Sequence, residues 1–260
     1  MLANGARVCW LSIADEKSRA ALAFEAFAYK QICQVPPCEI QTLLIQAFSR
    51  WGLPDQIKVD NGLPLGNLGS DLPSALGFWL LALGVEWITN PPYRPQSNGV
   101  VEHLQSVSGR WACPSKMANI IALQAHLDQI QIWQRELLGV KKLKGKSRMA
   151  QFPQLKTPRR IFSQHDLSLE LIRKYLTKRA YIRKADQNGQ FRLLGKKHAI
   201  GRKNKGKECR LIFDPHAFAF LVFDSKDEHI FTIIEHGLKL DNILKLQTPK
   251  PPPKRNNFIA

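Results

Sequence analysis

Apolar positions follow two rhythms along the chain, and the change between them predicts two kinds of structure. Arg7 to Ala14 (RVCWLSIA) is dense in β-favouring residues and stops at Asp15, which predicts a buried strand. Asp15-Glu16-Lys17-Ser18 reads as a turn, and Arg19 to Phe27 as the second arm of a hairpin weakened by its alanines. After Pro36-Pro37, the residues Ile40, Leu43, Leu44, Ala47, Phe48 and Trp51 recur at helical spacing, and Gly52 and Pro54 end that helix. Gln56 to Val59 is a short strand leading into Asp60-Asn61-Gly62, and Leu63 to Asp71 is a loop. Asp71-Leu72-Pro73-Ser74 then caps a helix that ends at Gly84. A strand over Val85 to Thr89 precedes Asn90 to Asn98, whose three prolines demand an extended loop. The next helix runs through Trp111. Val100, Leu104, Val107 and Trp111 form its apolar stripe, and Glu102, Gln105, Ser106 and Gly109 lie on another face. A further helix is expected over Ile120 to Leu137.

Lys141 to Arg160 is basic with little periodicity and reads as a linker, and Asp166 to Thr177 as a helix. From Lys178 onward short β-rich runs follow: Ala180–Ile182, Phe191–Leu194, His198–Ile200, Cys209–Phe213, Phe218–Phe223 and Ile230–Ile234, with turns such as Asp186-Gln187-Asn188-Gly189 between them. Strands at this spacing suggest a small barrel. The tail from Pro249 to Ala260 is Pro-rich and basic and reads as disordered. No internal repeat is visible.

Composition sharpens this division. The 260 residues are 44% hydrophobic and 23% charged, which excludes a wholly disordered chain. The longest apolar run, Leu76 to Val85, is about half the ~20 residues that span a bilayer, so no membrane partner is expected. Five cysteines without a CxxC pair argue against a disulfide scaffold and a typical zinc site, and predict free, partly buried thiols. The net charge of +17 is uneven: residues 1–140 carry 10 Lys+Arg and 11 Asp+Glu, residues 141–260 carry 28 and 10. A near-neutral half joined to a very basic half points to a polyanion, and to nucleic acid before membrane, because no basic amphipathic helix with an aromatic face is evident. Between Lys178 and Arg210 there are 12 Lys+Arg and two acids. The loop Gly201-Arg202-Lys203-Asn204-Lys205-Gly206-Lys207 offers Arg202, Lys203, Lys205 and Lys207 to phosphates, contacts that give affinity and register with little sequence reading. Lys141, Lys142, Lys144, Lys146 and Arg148 could add backbone contacts.

Two acids sit where chemistry wants them. Asp60 ends a strand and opens a turn; Glu102 occupies the first turns of a helix, off its apolar stripe. Carboxylates converging from two rigid elements suit Mg²⁺ (or Mn²⁺), which takes oxygen ligands and can activate one oxygen while stabilising another in phosphoryl displacement. Either acid alone is weak grounds, since solvated acids are common at such places.

The neighbouring residues add to this. Trp51-Gly52-Leu53-Pro54 with Val59-Asp60-Asn61-Gly62, followed by Pro95-Gln96-Ser97-Asn98-Gly99-Val100-Val101-Glu102, resembles the second and third segments of the DDE integrase/transposase core. Gly84-Val85-Glu86 is similar to the strand before that glutamate. The 41 residues between Asp60 and Glu102 exceed the usual retroviral spacing, and the Leu63–Ser74 loop accounts for the excess. Cys9 to Arg19 resembles the core's second strand and its D-x-x-S-R ending. Lys178 to Ile234 is similar to the SH3-like barrel that follows the core in bacterial transposases, most clearly at His198 to Lys203 and Arg210 to Asp214.

The resemblance implies an α/β RNase H-like core, a mixed sheet flanked by helices, over 1–138; a basic linker with a helix over 139–177; an SH3-like, DNA-binding β-barrel over 178–236; and a Pro/Lys-rich tail over 237–260. It implies metal-dependent DNA strand cleavage and transfer, with Asp60 and Glu102 as catalytic metal ligands and Arg94, Gln96 and Asn98 in a loop near the DNA. DNA (element ends and target) and further copies of the chain are the implied partners, and a cytoplasmic, nucleoid-associated location follows. One departure matters. In this family the first catalytic Asp lies on a first strand upstream of the D-x-x-S-R turn, and Met1 to Ala14 hold no acid. Asp15 aligns with the turn acid and is expected to stabilise the turn. The first strand is therefore expected to be missing, which would leave two strand edges unpaired or force them to pair anew. This chain alone is then expected not to cut or join DNA. The alternative from another class is a catalytically deficient, N-terminally truncated DNA-binding remnant; an unrelated basic RNA-binding protein is a third reading.

Overall fold

Side-chain chemistry at one turn starts the fold. Strand β1 (Cys9–Ala14) ends at Asp15, whose carboxylate accepts hydrogen bonds from the Ser18 N–H at 2.7 Å and the Ser18 hydroxyl at 2.6 Å. Arg19 takes the left-handed region at φ 58°, and the chain returns as β2 (Ala21–Phe27), antiparallel to β1 with Cys9 opposite Phe27. Asp15 thus has the turn-stabilising role that its sequence position suggested. The computed structural model describes residues 1–59, 71–89, 99–163 and 165–234.

These residues divide into two compact units. The first carries β1, β2, α1 (Pro37–Trp51), β3 (Gln56–Val59), α3 (Gly99–Ala112), α4 (Ile120–Ile132) and α5 (Arg148–Gln151). The second carries α2 (Ala75–Ala82), α6 (Leu169–Leu176) and the six strands between Tyr181 and Ile234, and the division falls within β4 (Glu86–Thr89), after Glu86.

In the first unit, Phe24, Ala26, Leu104, Ala112, Leu123, Leu127 and Ile130 form a core between β2, α3 and α4. The free edge of β2 is closed by side chains of the α4 segment. Gln134 accepts from the Ala21 N–H (2.9 Å), Gln131 from the Phe24 N–H (3.2 Å) and Gln124 from the Ala26 N–H (2.8 Å). Gln124 also donates to the Phe24 carbonyl, and the fully buried Arg135 donates to the Ala21 carbonyl at 3.0 Å. A strand edge is thereby satisfied without another strand. The single helix expected over Ile120–Leu137 instead ends as a π-helical turn over Trp133–Leu137.

The mixed sheet of the sequence reading is not what forms among the described residues. β1 pairs with β2 and β3 pairs with β4, as two separate two-stranded sheets. The stretch read as a linker also carries structure: α5, buried at Met149, lies between short 3₁₀ turns at Lys141–Leu143 and Pro153–Lys156. Beyond it the Arg160 carbonyl accepts from the Leu53 N–H at 2.9 Å, and Phe162 packs edge-on against Phe48. Gly52, at φ 82°, makes this approach possible, since a Cβ there would collide with Pro158 and the Arg160 carbonyl.

In the second unit, α2 is apolar on every face and buried along most of its length, which explains the long apolar run from Leu76; Ser74 caps it by accepting from the Gly77 N–H. The strands β5 (Tyr181–Lys184), β8 (Glu208–Asp214), β9 (Ala219–Phe223) and β10 (His229–Ile234) form an antiparallel sheet in the order β10-β9-β8-β5. β6 (Gln190–Leu193) and β7 (Lys196–Ala199) form a separate hairpin. The six expected strands are present within one or two residues, but as an open four-stranded sheet and a hairpin; no closed barrel occurs among the described residues. Tyr181, Leu211, Phe213, Phe220 and Val222 alternate inward as its core.

Candidate functional site

Helix α3 presents three different faces. Leu104, Ser108 and Ala112 are buried, and Ser108 accepts from Trp10 Nε1 at 3.4 Å, tying the helix to β1. Val100, Leu104, Val107 and Trp111 form the stripe that the sequence showed. Glu102 is exposed, in the first helical turn and on the far side from that stripe. It shares its face with Gly109, which lies beside the Trp10 ring. Its helix is anchored to β1 through Trp10. Asp60, Arg94, Gln96 and Asn98 lie outside the described residues. Among the described residues no group of three or more His, Cys, Asp or Glu side chains converges to hold a metal ion.

The basic loop is a closed, backbone-built turn. Gly201, at φ 92°, leads into a 3₁₀ turn over Arg202–Asn204. The Asn204 N–H donates to the Gly201 carbonyl, the Lys205 N–H to Arg202 and the Lys207 N–H to Asn204. Gly206 and Ala185 exchange with the strand side: the Gly206 N–H donates to the Ala185 carbonyl at 3.1 Å, and the Ala185 N–H to the Lys207 carbonyl at 2.9 Å. Asn204 is buried and donates from Nδ2 to the Ile200 carbonyl at 2.8 Å. Underneath, the Ile200 N–H donates to Gly189, where any Cβ would strike the Gly201 carbonyl. The result is a turn whose only buried side chain is neutral, while Arg202, Lys203, Lys205 and Lys207 are all exposed. Four cations are presented at one loop with little backbone entropy left to lose. The hairpin β6–β7 adds exposed Arg192, Lys196 and Lys197, which the sequence pattern does not single out.

A third feature was not visible in the sequence. Asp71 takes two hydrogen bonds from the Arg183 guanidinium, at 2.6 and 3.0 Å, and its backbone carbonyl accepts from Arg179. Burial pushes the Asp71 carboxyl up, but the Arg183 bonds outweigh it and hold the group below its usual range. The pair fastens the segment before α2 to β5, and it removes Arg183 from the set of cations open to a ligand. All five cysteines are free thiols; burial raises Cys209, with Asp224 adding to it and Lys207 opposing, so neither it nor Cys9, raised by burial and then by Cys33, is an activated nucleophile.

No family model matches the chain. Among solved structures it is similar to a chain in the cryo-EM structure of the simian T-cell lymphotropic virus intasome in complex with PP2A regulatory subunit B56 gamma, at 18% identity and a TM-score of 0.39, over 87% of this chain and 74% of that one. Among the described residues no helix is long and apolar enough to cross a membrane.

Proposed function

We propose that this chain is a DNA-acting polypeptide of the DDE integrase/transposase type, which grips the DNA backbone through the basic surface of its second unit. The observation that carries the reading is the turn over 201–207, whose four exposed cations are held by a hydrogen-bonded backbone and the buried Asn204. Such a turn suits phosphates spaced along a duplex and carries little base discrimination. The region 178–236 would serve as an SH3-like DNA-binding module, 139–177 as the basic connection, 1–138 as an RNase H-like core and 237–260 as a basic tail. Asp60 and Glu102 would be the carboxylate ligands of Mg²⁺ or Mn²⁺, and Glu102 fits that part as an exposed oxygen donor on an anchored helix. The metal would supply charge neutralisation at phosphate and a more acidic bound water. Arg94, Gln96 and Asn98 would approach the DNA beside it, and further copies of the chain would join on the DNA.

Fluorescence anisotropy of a labelled short duplex with the full chain tests the reading. Tight binding at low salt is expected, with at least a tenfold loss for the double reversal Lys203→Glu, Lys205→Glu. Absence of binding at low salt, or binding indifferent to the reversal, would contradict it. For the metal ligands, water-proton relaxation with added Mn²⁺ should report binding that Asp60→Asn and Glu102→Gln each weaken.

A further inference from the structure

On the side of α3 away from Glu102 lies a groove of about 160 Å³ between α3, the β1–β2 turn, α5 and the turn after α4. Leu104, Val107 and Trp111 give it an apolar floor, and Arg19, His103 and Arg148 stand around it. No acid lines it. Two cations so placed repel each other: half-burial and then the nearby Arg19 charge push the Arg148 guanidinium below its ordinary value, though an arginine stays charged at neutral pH. Among the described residues no carboxylate pairs with either arginine; Arg148 donates only to the Gln134 carbonyl, at 3.0 Å. Both positions are also held by the fold. Arg19 closes the Asp15 turn in the left-handed region, and its carbonyl accepts from Gln134 Nε2 at 2.9 Å.

We propose that this groove is a docking site for a peptide segment of a protein partner, one in which an acidic residue neighbours an aromatic or branched apolar residue. Charge complementarity chooses the acid, since a carboxylate between Arg19 and Arg148 relieves their repulsion and takes charge-assisted hydrogen bonds. The apolar floor chooses its neighbour. A volume near that of a cavity that holds benzene, about 150 Å³, has room for one such side chain. A phosphodiester satisfies the first requirement and not the second, because it offers nothing to Leu104, Val107 and Trp111. The site is independent of the basic turn over 201–207, so it stands or falls apart from the proposed DNA role.

The test is selection of a random nonapeptide display library on the full chain in the presence of excess duplex DNA, followed by anisotropy with the most enriched peptide. Enrichment of an acid within two positions of an aromatic or branched residue is expected. Arg19→Glu, an exposed change that keeps the turn's other bonds, should weaken that peptide at least tenfold with an unchanged melting temperature. Arg148→Gln should weaken it several-fold. Replacing the peptide's acid by its amide should do the same to wild type and little to Arg19→Glu. The proposal is overturned if no such pair is enriched, if Arg19→Glu leaves the affinity unchanged, or if duplex DNA displaces the peptide and loses affinity in the Arg19→Glu chain. The last result would assign the groove to nucleic acid.

Discussion

The two units hold their exposed backbone in opposite ways. In the first, a strand edge is closed by long polar side chains: Gln124 and Gln131 of α4, and Gln134 and the buried Arg135 of the π-helical turn after it, reach across to the groups of β2. Asp128 accepts from Gln124 at 2.9 Å and from Gln131 at 3.5 Å and so orients the first of them firmly and the second loosely. In the second, the corresponding work at the basic turn is done by backbone: Gly189, Gly201, Gly206 and Ala185 supply most of the bonds, and one buried amide, Asn204, completes them. The difference follows from what each must leave free. A neutral layer can use its polar side chains on itself. On the proposed function, a surface that meets phosphate keeps its cations outward and takes its shape from the main chain.

Breaking the first arrangement should have the largest effect. Arg135 is fully buried, donates to the Ala21 carbonyl and to Glu136, and its guanidinium stacks 4.8 Å from the Trp51 ring centre. Arg135→Ala leaves a cavity and an unpaired carbonyl and should cost about 3 kcal/mol in chemical denaturation. Next comes Gly189→Ala in the second unit. It places a Cβ at φ 70° and against the Gly201 carbonyl, and should cost about 2 kcal/mol or more. Unlike Arg135→Ala measured below its melting point, it should also weaken DNA binding, because the turn beneath the four cations must shift. Gln124→Ala orphans the Ala26 N–H and the Phe24 carbonyl and should cost about 1–2 kcal/mol, with faster amide exchange at Ala26.

The smallest effect is expected at Asp71, which is partly exposed. Its folded pKa lies below the unfolded value, so its contribution is present above that value, about 4, and is lost as pH falls through the folded pKa. Asp71→Asn should cost about 1 kcal/mol or less near neutrality and reduce the acid-side slope of stability below about pH 4. An unchanged slope would show that Arg183 contributes nothing through this pair.

Much of this was legible in the sequence because it rests on local rhythm. The stripe of α1, the Ser74 cap, the hairpin of β1 and β2 and the six strands after Lys178 all announce themselves within a dozen residues. What failed depends on long-range pairing. A period of two predicts a strand and says nothing of its partner, so β1–β2 and β3–β4 as separate sheets, and the open β10-β9-β8-β5 order, could not be read. The helical turns between Lys141 and Lys156 are too short to show amphipathic spacing. At the site, the exposure of Glu102 followed from its place off the stripe, and the cationic loop from composition. Its rigidity did not, since the residues that fix it, Asn204 and Gly189, are neutral and 15 apart in the chain. The glutamines of α4 did carry a signal, a common helix face facing β2, that polar residues seldom advertise.

On the proposed function, the cations of the 201–207 turn neutralise DNA phosphates. The most direct measurement is the logarithm of the duplex association constant against the logarithm of salt concentration, for the wild-type chain and for Arg202→Ala, Lys203→Ala, Lys205→Ala, Lys207→Ala combined. Each phosphate contact contributes about 0.9 to the slope, so the fourfold variant should bind at least tenfold more weakly at low salt and show a slope shallower by about 3–4. Parallel lines of equal affinity would place the DNA elsewhere and contradict the account.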